Sequence, residues 1–286
     1  GRIPNPWLST DLVWSENLTF EGVAASLKPT LGDGSFRPFL TVGAFPLKEE
    51  NQPRSNGRWL RGAQAGAKWD LDAHTRLTFG AAWYDFDKLE GQRDGDPGLG
   101  AVPAFGQYEY GTSLRQKGNT LFLTDAGRTD GVTPTLWGLA SRFRPATLTG
   151  SLDLGQLDPV HVILTGEYVK NTAFDREEIR RRTGHALTDG KDYGYLYRIA
   201  VGMPRLEKRH DWNLAFTYRY LGSDAVVDAF TDSDFGLGGT NLKAAAISAD
   251  GIMLERLNAN TELTQGPERV VNDIVQTHVD GFQLSF

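Results

Sequence analysis

Arg61-Gly62-Ala63-Gln64-Ala65-Gly66-Ala67-Lys68-Trp69-Asp70-Leu71, followed across Asp72 by Ala73-His74-Thr75-Arg76-Leu77-Thr78-Phe79-Gly80-Ala81-Ala82-Trp83, decides the fold. Ala63, Ala65, Ala67, Trp69 and Leu71 alternate with Gln64, Lys68 and Asp70. Leu77, Phe79, Ala81 and Trp83 alternate with His74, Arg76 and Thr78. A period of two puts one set on each side of a strand, so each segment is a ribbon with one oily and one polar face. Only a tight turn fits at Asp72.

The pattern recurs along the chain. Leu148, Leu152 and Leu154 oppose Thr147, Thr149, Ser151 and Asp153, and Val160, Val162, Leu164 and Tyr168 oppose His161, Thr165 and Glu167. Tyr193, Tyr195, Tyr197, Ile199 and Val201 oppose Gly194, Arg198 and Gly202. Trp212, Leu214, Phe216, Tyr218 and Tyr220 oppose Asn213, Thr217 and Arg219. At the end of the sequence, Phe282, Leu284 and Phe286 alternate with Gly281, Gln283 and Ser285. No long segment has a helical period of comparable clarity, so the chain is all-β.

Composition narrows the classes. With no Cys among 286 residues there is no disulfide framework, no thiolate metal site and no thiol nucleophile. Thirty Lys+Arg against 36 Asp+Glu argue against a nucleic-acid binder, which carries a basic face. Mean hydropathy is −0.38, and no stretch is apolar enough for a membrane helix. A membrane-spanning barrel is compatible with that value, because each strand needs only about ten alternating residues to cross.

The periodicity predicts strands over 18–30, 36–47, 58–71, 73–87, 144–154, 158–171, 192–204, 210–222, 238–249, 251–263 and 274–286. Short connections at 32–34, Asp72, 155–158, 207–209 and Asp250-Gly251 alternate with long ones over 4–17, 48–57, 88–143, 172–191, 223–237 and 264–273. Short turns at one end and long loops at the other are the mark of an outer-membrane barrel, with its turns periplasmic and its loops extracellular. Eleven strands, with Gly1-Arg2-Ile3 as the outer tip of a twelfth, predict a single transmembrane antiparallel β-barrel domain over 1–286. The whole barrel would have 12–16 strands, about 11–12 of them in this chain, with N-terminal strands lying before Gly1. Closure follows from backbone chemistry, since an unpaired N–H or C=O in hydrocarbon costs several kcal/mol.

Aromatic residues give a second line of argument. With the C-terminus periplasmic, Trp69, Trp212 and Phe286 fall near the periplasmic rim. Trp83, Tyr168, Tyr193, Tyr195, Tyr218 and Tyr220 fall toward the outer rim. Indole and phenol rings favour a membrane interface, where one end is apolar and the other wet.

Gly1-Arg2-Ile3-Pro4-Asn5-Pro6-Trp7 with Thr10-Asp11-Leu12-Val13-Trp14 and Phe20-Glu21-Gly22 resembles the strand-end, loop and next-strand pattern of the bacterial outer-membrane putative porins. So do Gly166–Asn171, Asp211–Leu214 with Tyr218-Arg219-Tyr220, and Asp228–Phe235. The terminal Phe286 resembles the signal read by the barrel-assembly machinery. The resemblance implies passive diffusion of small hydrophilic solutes through the outer membrane of a Gram-negative bacterium. Outer-membrane lipid and lipopolysaccharide would surround the protein, and it needs no cofactor. A homotrimer is one arrangement, with Ala63-Ala65-Ala67 and Ala244-Ala245-Ala246 as candidate contacts. The competing reading is a structural or adhesive barrel whose lumen is plugged and whose loops bind.

The chemistry of a pore is its lining. Lys68, Arg76, Arg198, Arg219 and Lys243 outnumber Asp70, Asp153 and Glu167 on the expected inner face, which predicts a weak anion preference. The alternative is cross-strand pairing that merely fills the wall. The segment 88–143 is too long for an idle loop and is expected to fold inward as a constriction, with Arg115 and Lys117 toward the path. Arg176–Arg182 reads as a short amphipathic helix, a candidate contact for lipopolysaccharide, with Glu178 and Arg182 attracting at i,i+4. Asp224, Asp228, Asp232 and Asp234 read as an exposed acidic loop and lack the spacing of a calcium loop, so no metal site is expected. No nucleophile elbow, zincin or phosphate-loop motif is present and the five His show no ligand spacing, so the chain is not expected to be an enzyme.

Overall fold

The computed structural model describes residues 1–47, 57–100, 105–186, 191–207, 210–233, 238–254 and 274–285. Its strands are β1 (Arg2–Pro4), β2 (Thr19–Glu21), β3 (Val23–Leu27), β4 (Phe36–Pro46), β5 (Trp59–Asp70), β6 (Thr75–Asp87), β7 (Leu121–Leu123), β8 (Trp137–Leu139), β9 (Pro145–Leu157), β10 (Val160–Asn171), β11 (Tyr193–Gly202), β12 (Trp212–Leu221), β13 (Leu242–Leu254) and β14 (Ile274–Ser285). One helix, α1, covers Arg176–Thr183. Ten strands form a single sheet in the order β14-β13-β12-β11-β10-β9-β6-β5-β4-β3. Each neighbour is antiparallel. The pairs β1–β2 and β7–β8 are separate two-stranded ladders.

Registers fix the two faces. Ala63 lies opposite Val42 and Trp83, and Trp69 opposite Phe36 and Leu77. Tyr168 lies opposite Leu148 and Tyr195, and Tyr195 opposite Tyr220. These apolar side chains share one face and are widely exposed there, Leu148 at 61% and Tyr197 at 60%. An apolar face this exposed is unusual for a protein in water. Trp69 and Trp212 sit at the short-turn end. Trp83, Tyr168, Tyr193, Tyr195, Tyr218 and Tyr220 sit toward the long-connection end, where Tyr193 and Tyr195 lie 5.4 and 5.5 Å from the Tyr220 ring.

Several expectations change. Among the described residues the sheet does not close: β3 and β14 are its two edges. β3 offers only five residues, and the stretch just before it, β2, is already paired with β1. Asp250-Gly251 is not a turn. Gly251 is held on both sides, by Trp212 and by Thr277, so β13 runs on to Leu254 as one ladder. The remainder of the expected strand 251–263 lies outside the described residues. Without that turn, β14 runs from the short-turn end to the long-connection end, where Ser285 pairs with Ala244. Ser285, the last described residue, therefore lies at the rim opposite the one expected for this strand's end; the expected rim position of Phe286 lies outside the described residues.

The core sits on the polar face, at the long-connection end. Trp7, Leu12, Val13 and Trp14, expected in an outer loop, are buried against Phe45, Tyr84 and Phe86 of the wall and against Phe230. The rings meet mostly edge-on, with Trp14 5.0 Å from Tyr84 at 86°, an arrangement worth about 0.5–1.5 kcal/mol per pair beyond burial. Gly62 permits the close approach: a Cβ there would lie 2.8 Å from Tyr84 Cδ1 and 2.9 Å from Trp7 Cζ2. The wall is thus lined on the inside by its own connections.

Candidate pore-lining face

Two Pro residues flanking Asn5 keep the segment after β1 out of a regular ladder, because Pro lacks a donor and restricts the residue before it. Asn5 shapes it locally, accepting from the Trp7 N–H at 3.0 Å and donating to Ser9 Oγ at 3.2 Å. The segment then crosses the polar face as an inner strap. Leu8 N–H donates to Gln64 Oε1 at 2.7 Å, and Gln64 Nε2 returns a bond to the Leu8 carbonyl at 2.7 Å. Two strands beyond β6, Glu167 takes the backbone N–H and hydroxyl of Thr10 at 2.9 and 2.5 Å, while its other oxygen accepts from Thr149 at 2.9 Å. Ser15 N–H reaches the Phe230 carbonyl at 2.9 Å.

Beneath the strap the inner face reads as a grid. Across β10, β11 and β12 one row is Glu167, Leu196 and Arg219, and the next is Thr165, Arg198 and Thr217. The first row is covered: Glu167 and Arg219 are buried, with Asp11 and Asp232 acting on the guanidinium along with Glu167. The second row borders a cavity of about 410 Å³, roofed by Ser9, Thr10 and Asp11, into which Arg198 opens. Across β4, β5 and β6, Arg37 lies directly opposite Lys68, and Asp70 opposite Arg76. Asp70 binds both Arg37 and Arg76, at 2.5 Å each.

The residues expected to line a pore therefore divide. Lys68, Arg76, Glu167, Arg198 and Arg219 all lie on the polar face. Lys243 does not: it faces Tyr220 across β12 and β13, on the apolar side, and Ala244 faces Arg219 instead. A one-residue change of register reverses every side chain, and the Ala-rich sequence around Lys243 carries too little contrast to fix it. Asp153 pairs with His161 Nδ1 at 2.6 Å near the short turns.

The described residues of the segment 88–143 are folded around the β7–β8 ladder, and they pack on the connection after β12. Asn119 organises that contact. Its amide donates to the carbonyls of Ser223 at 2.6 Å and Val226 at 2.8 Å, and its oxygen accepts from Asp228 N–H at 2.8 Å. Asp224 accepts from Thr120 N–H at 3.0 Å and its hydroxyl at 2.6 Å, and Tyr110 donates to Asp228 at 2.5 Å. Asn171, at the end of β10, adds a bond to the Asp224 carbonyl at 2.8 Å. Arg115 is half-buried beside Tyr110 and Asp228, and Lys117 is exposed, its carbonyl accepting from Thr240 N–H at 2.8 Å. Both stand against this connection at the long-connection end.

The acidic loop is not exposed as expected. Asp224, Asp228 and Asp232 are buried, and Asp234 lies outside the described residues. Burial pushes the Asp224 and Asp228 carboxyls above the usual aspartate range, against the pull of the hydrogen bonds from Thr120 and Tyr110. Among the described residues no cluster of three or more metal-ligating side chains occurs. The helix forms as expected, capped by Asp175 and ending at Gly184, with Glu178 and Arg182 paired at 2.6 Å and Ile179 buried against Phe122 and Ala140.

Sequence reading missed the strap with its Thr10, the wall residues Gln64 and Thr149, and the hubs Asn119 and Asn171. One signal was present: Trp7, Leu8, Leu12, Val13 and Trp14 are too apolar for a loop standing in water.

Comparison with known proteins places these features in a family. No curated protein and no solved structure gives a significant match. A family model described as putative porin matches residues 1–283. With nearly its whole length matched and a large antiparallel sheet of two chemically opposite faces, the chain belongs to the putative porin family.

Proposed function

We propose that this chain is wall and inner lining of an outer-membrane diffusion pore for small hydrophilic solutes, with a weak preference for anions. The observation that carries the reading is the pairing of opposites on one sheet: exposed Leu, Ile, Trp and Tyr on one side, and Lys68, Arg198, Thr165 and Thr217 on the other. In a bilayer the first face meets lipid and the second meets water. The edges β3 and β14 then require further pairing, because hydrocarbon leaves no partner for an open ladder. Long connections face outward and short turns face the periplasm. Lipopolysaccharide surrounds the outer rim, where Lys170 and Lys243 flank the tyrosine belt. The barrel-assembly machinery would act on the last strand, and trimers would form through small-residue patches of the lipid face. The chain carries out no catalysis.

Anion preference rests on uneven pairing. Asp70 offsets Arg37 and Arg76, whereas no ion pair among the described residues involves Lys68 or Arg198. Positive side chains along a pore lower the barrier for anions.

Planar-bilayer recording tests the proposal. Ohmic conductance, with a reversal potential in a KCl gradient on the chloride side of zero, is expected. The plugged-barrel reading draws on one observation, the apolar core on the polar face at the long-connection end. It expects negligible conductance and loops that bind a partner.

A further inference from the structure

A second cavity, about 580 Å³, lies on the other side of the strap from Arg198. Its lining includes Lys28, Arg37, Lys68 and Arg76 and, among the described residues, no carboxylate. Asp70 stands behind Arg37 and Arg76 and neutralises one charge of the four. Trp7 and Leu8 of the strap form one wall, and the hydrogen-bonded Gln64 closes the upper end. The cations come from three separate strands and a turn: Arg37 from β4, Lys68 from β5, Arg76 from β6, and Lys28 just after β3.

The arrangement is unfavourable as it stands. Arg37 and Lys68 are direct cross-strand partners on the same face, and like charges in that position repel. Lys68 has no hydrogen bond or ion pair among the described residues. An anion held between Arg37 and Lys68 removes the repulsion. The donor set also says which anion. A carboxylate is planar with two oxygens, and Asp70 already takes one contact from Arg37 and one from Arg76. Two ammonium and two guanidinium side chains that line one cavity from different strands and a turn suit a compact oxyanion of higher charge with acceptors in several directions.

We propose that this cavity is a binding subsite for phosphate or the phosphate group of a small solute, on the permeation face just inside the strap. The inference rests on the pore reading and deepens it, giving the anion preference a location and a ligand class. A solute held there sits against Trp7 and Leu8, so occupancy narrows the same opening that the strap bounds.

The test uses the full chain in planar bilayers with chloride as carrier and inorganic phosphate as probe. Phosphate is expected to reduce the chloride current saturably at neutral pH, and acetate at equal ionic strength is expected to leave it unchanged. Lys68→Gln should raise the half-blocking phosphate concentration about tenfold, as expected when one charge-assisted contact is lost. Lys28→Gln, in a turn, is the second variant and should shift it in the same direction, and Lys243→Gln, on the apolar face, should not shift it. Equal block by acetate, or unchanged block in both Lys68→Gln and Lys28→Gln, overturns the proposal. Calorimetric titration of phosphate into the detergent-solubilised chain separates the two readings. Heat that disappears in Lys68→Gln with no current in bilayers keeps the subsite and removes the open pore. Current without phosphate heat or block keeps the pore and removes the subsite.

Discussion

Thr10 gives both its backbone N–H and its hydroxyl to a single oxygen of Glu167, at 2.9 and 2.5 Å, across 157 residues of sequence. This pair of hydrogen bonds to a buried carboxylate, with the Leu8–Gln64 pair on the other side, ties the strap to two distant strands of the wall. It makes the strap part of the lining, so the opening depends on how firmly those anchors hold.

Loosening the anchor should open the path. Thr10→Val keeps the shape and removes the hydroxyl's bond to Glu167 and the one it accepts from the Leu12 N–H, each worth about 0.5–1.5 kcal/mol. Larger or noisier single-channel currents are expected, and currents indistinguishable from wild type would show that the strap does not limit flow.

Asn119→Ala should free the segment 105–123 from the connection after β12. Three bonds to buried backbone groups are lost together, leaving the Ser223 and Val226 carbonyls and the Asp228 N–H without that partner. The local cost is about 2–4 kcal/mol, from unsatisfied buried groups. Limited proteolysis should cut this segment faster while the strands stay protected; equal cleavage of both proteins would count against the hub.

Acid should tighten the same contact. Asp224 and Asp228 are raised above their ordinary value of 3.8 by burial. For a group whose folded-state value is raised, the stabilisation is full below the unfolded value and is lost as pH rises through the folded one. Hydrogen-exchange protection of 105–123, corrected for intrinsic rates, should therefore fall as pH climbs from below 4 toward neutral. Asp228→Asn should flatten part of that slope, and a wild-type profile that rises with pH would contradict the assignment.

Charge reversal should separate the two faces. Lys68→Glu is expected to move the reversal potential toward cations by a measurable part of its full range, since the charge stands on the polar face. Lys243→Glu, opposite Tyr220 on the apolar face, should leave selectivity unchanged. A shift of equal size in both variants would mean that the faces are wrongly assigned.

Turn chemistry misled in one place. Asp250-Gly251 has the residues of a tight turn, yet neighbours on both sides hold it within a ladder. Local preference gives way where two strands offer paired backbone partners. Lys243 failed for a related reason: in a run of alanines, parity is set by the neighbouring strand and cannot be read from the segment itself.

What the sequence alone determined is the two-faced ribbon. Alternation from Arg61 to Trp83 and from Tyr193 to Tyr220 forces strands with an oily and a wet side, because side-chain direction in a strand has a period of two. The tertiary structure alone decided that Trp7 to Trp14 lie inside, that Asn119 and Asp228 hold two connections together, and that Arg37 stands beside Lys68. Those contacts join residues far apart in the chain through hydrogen bonds and ring packing, which have no period along the sequence, so only the folded register brings them together.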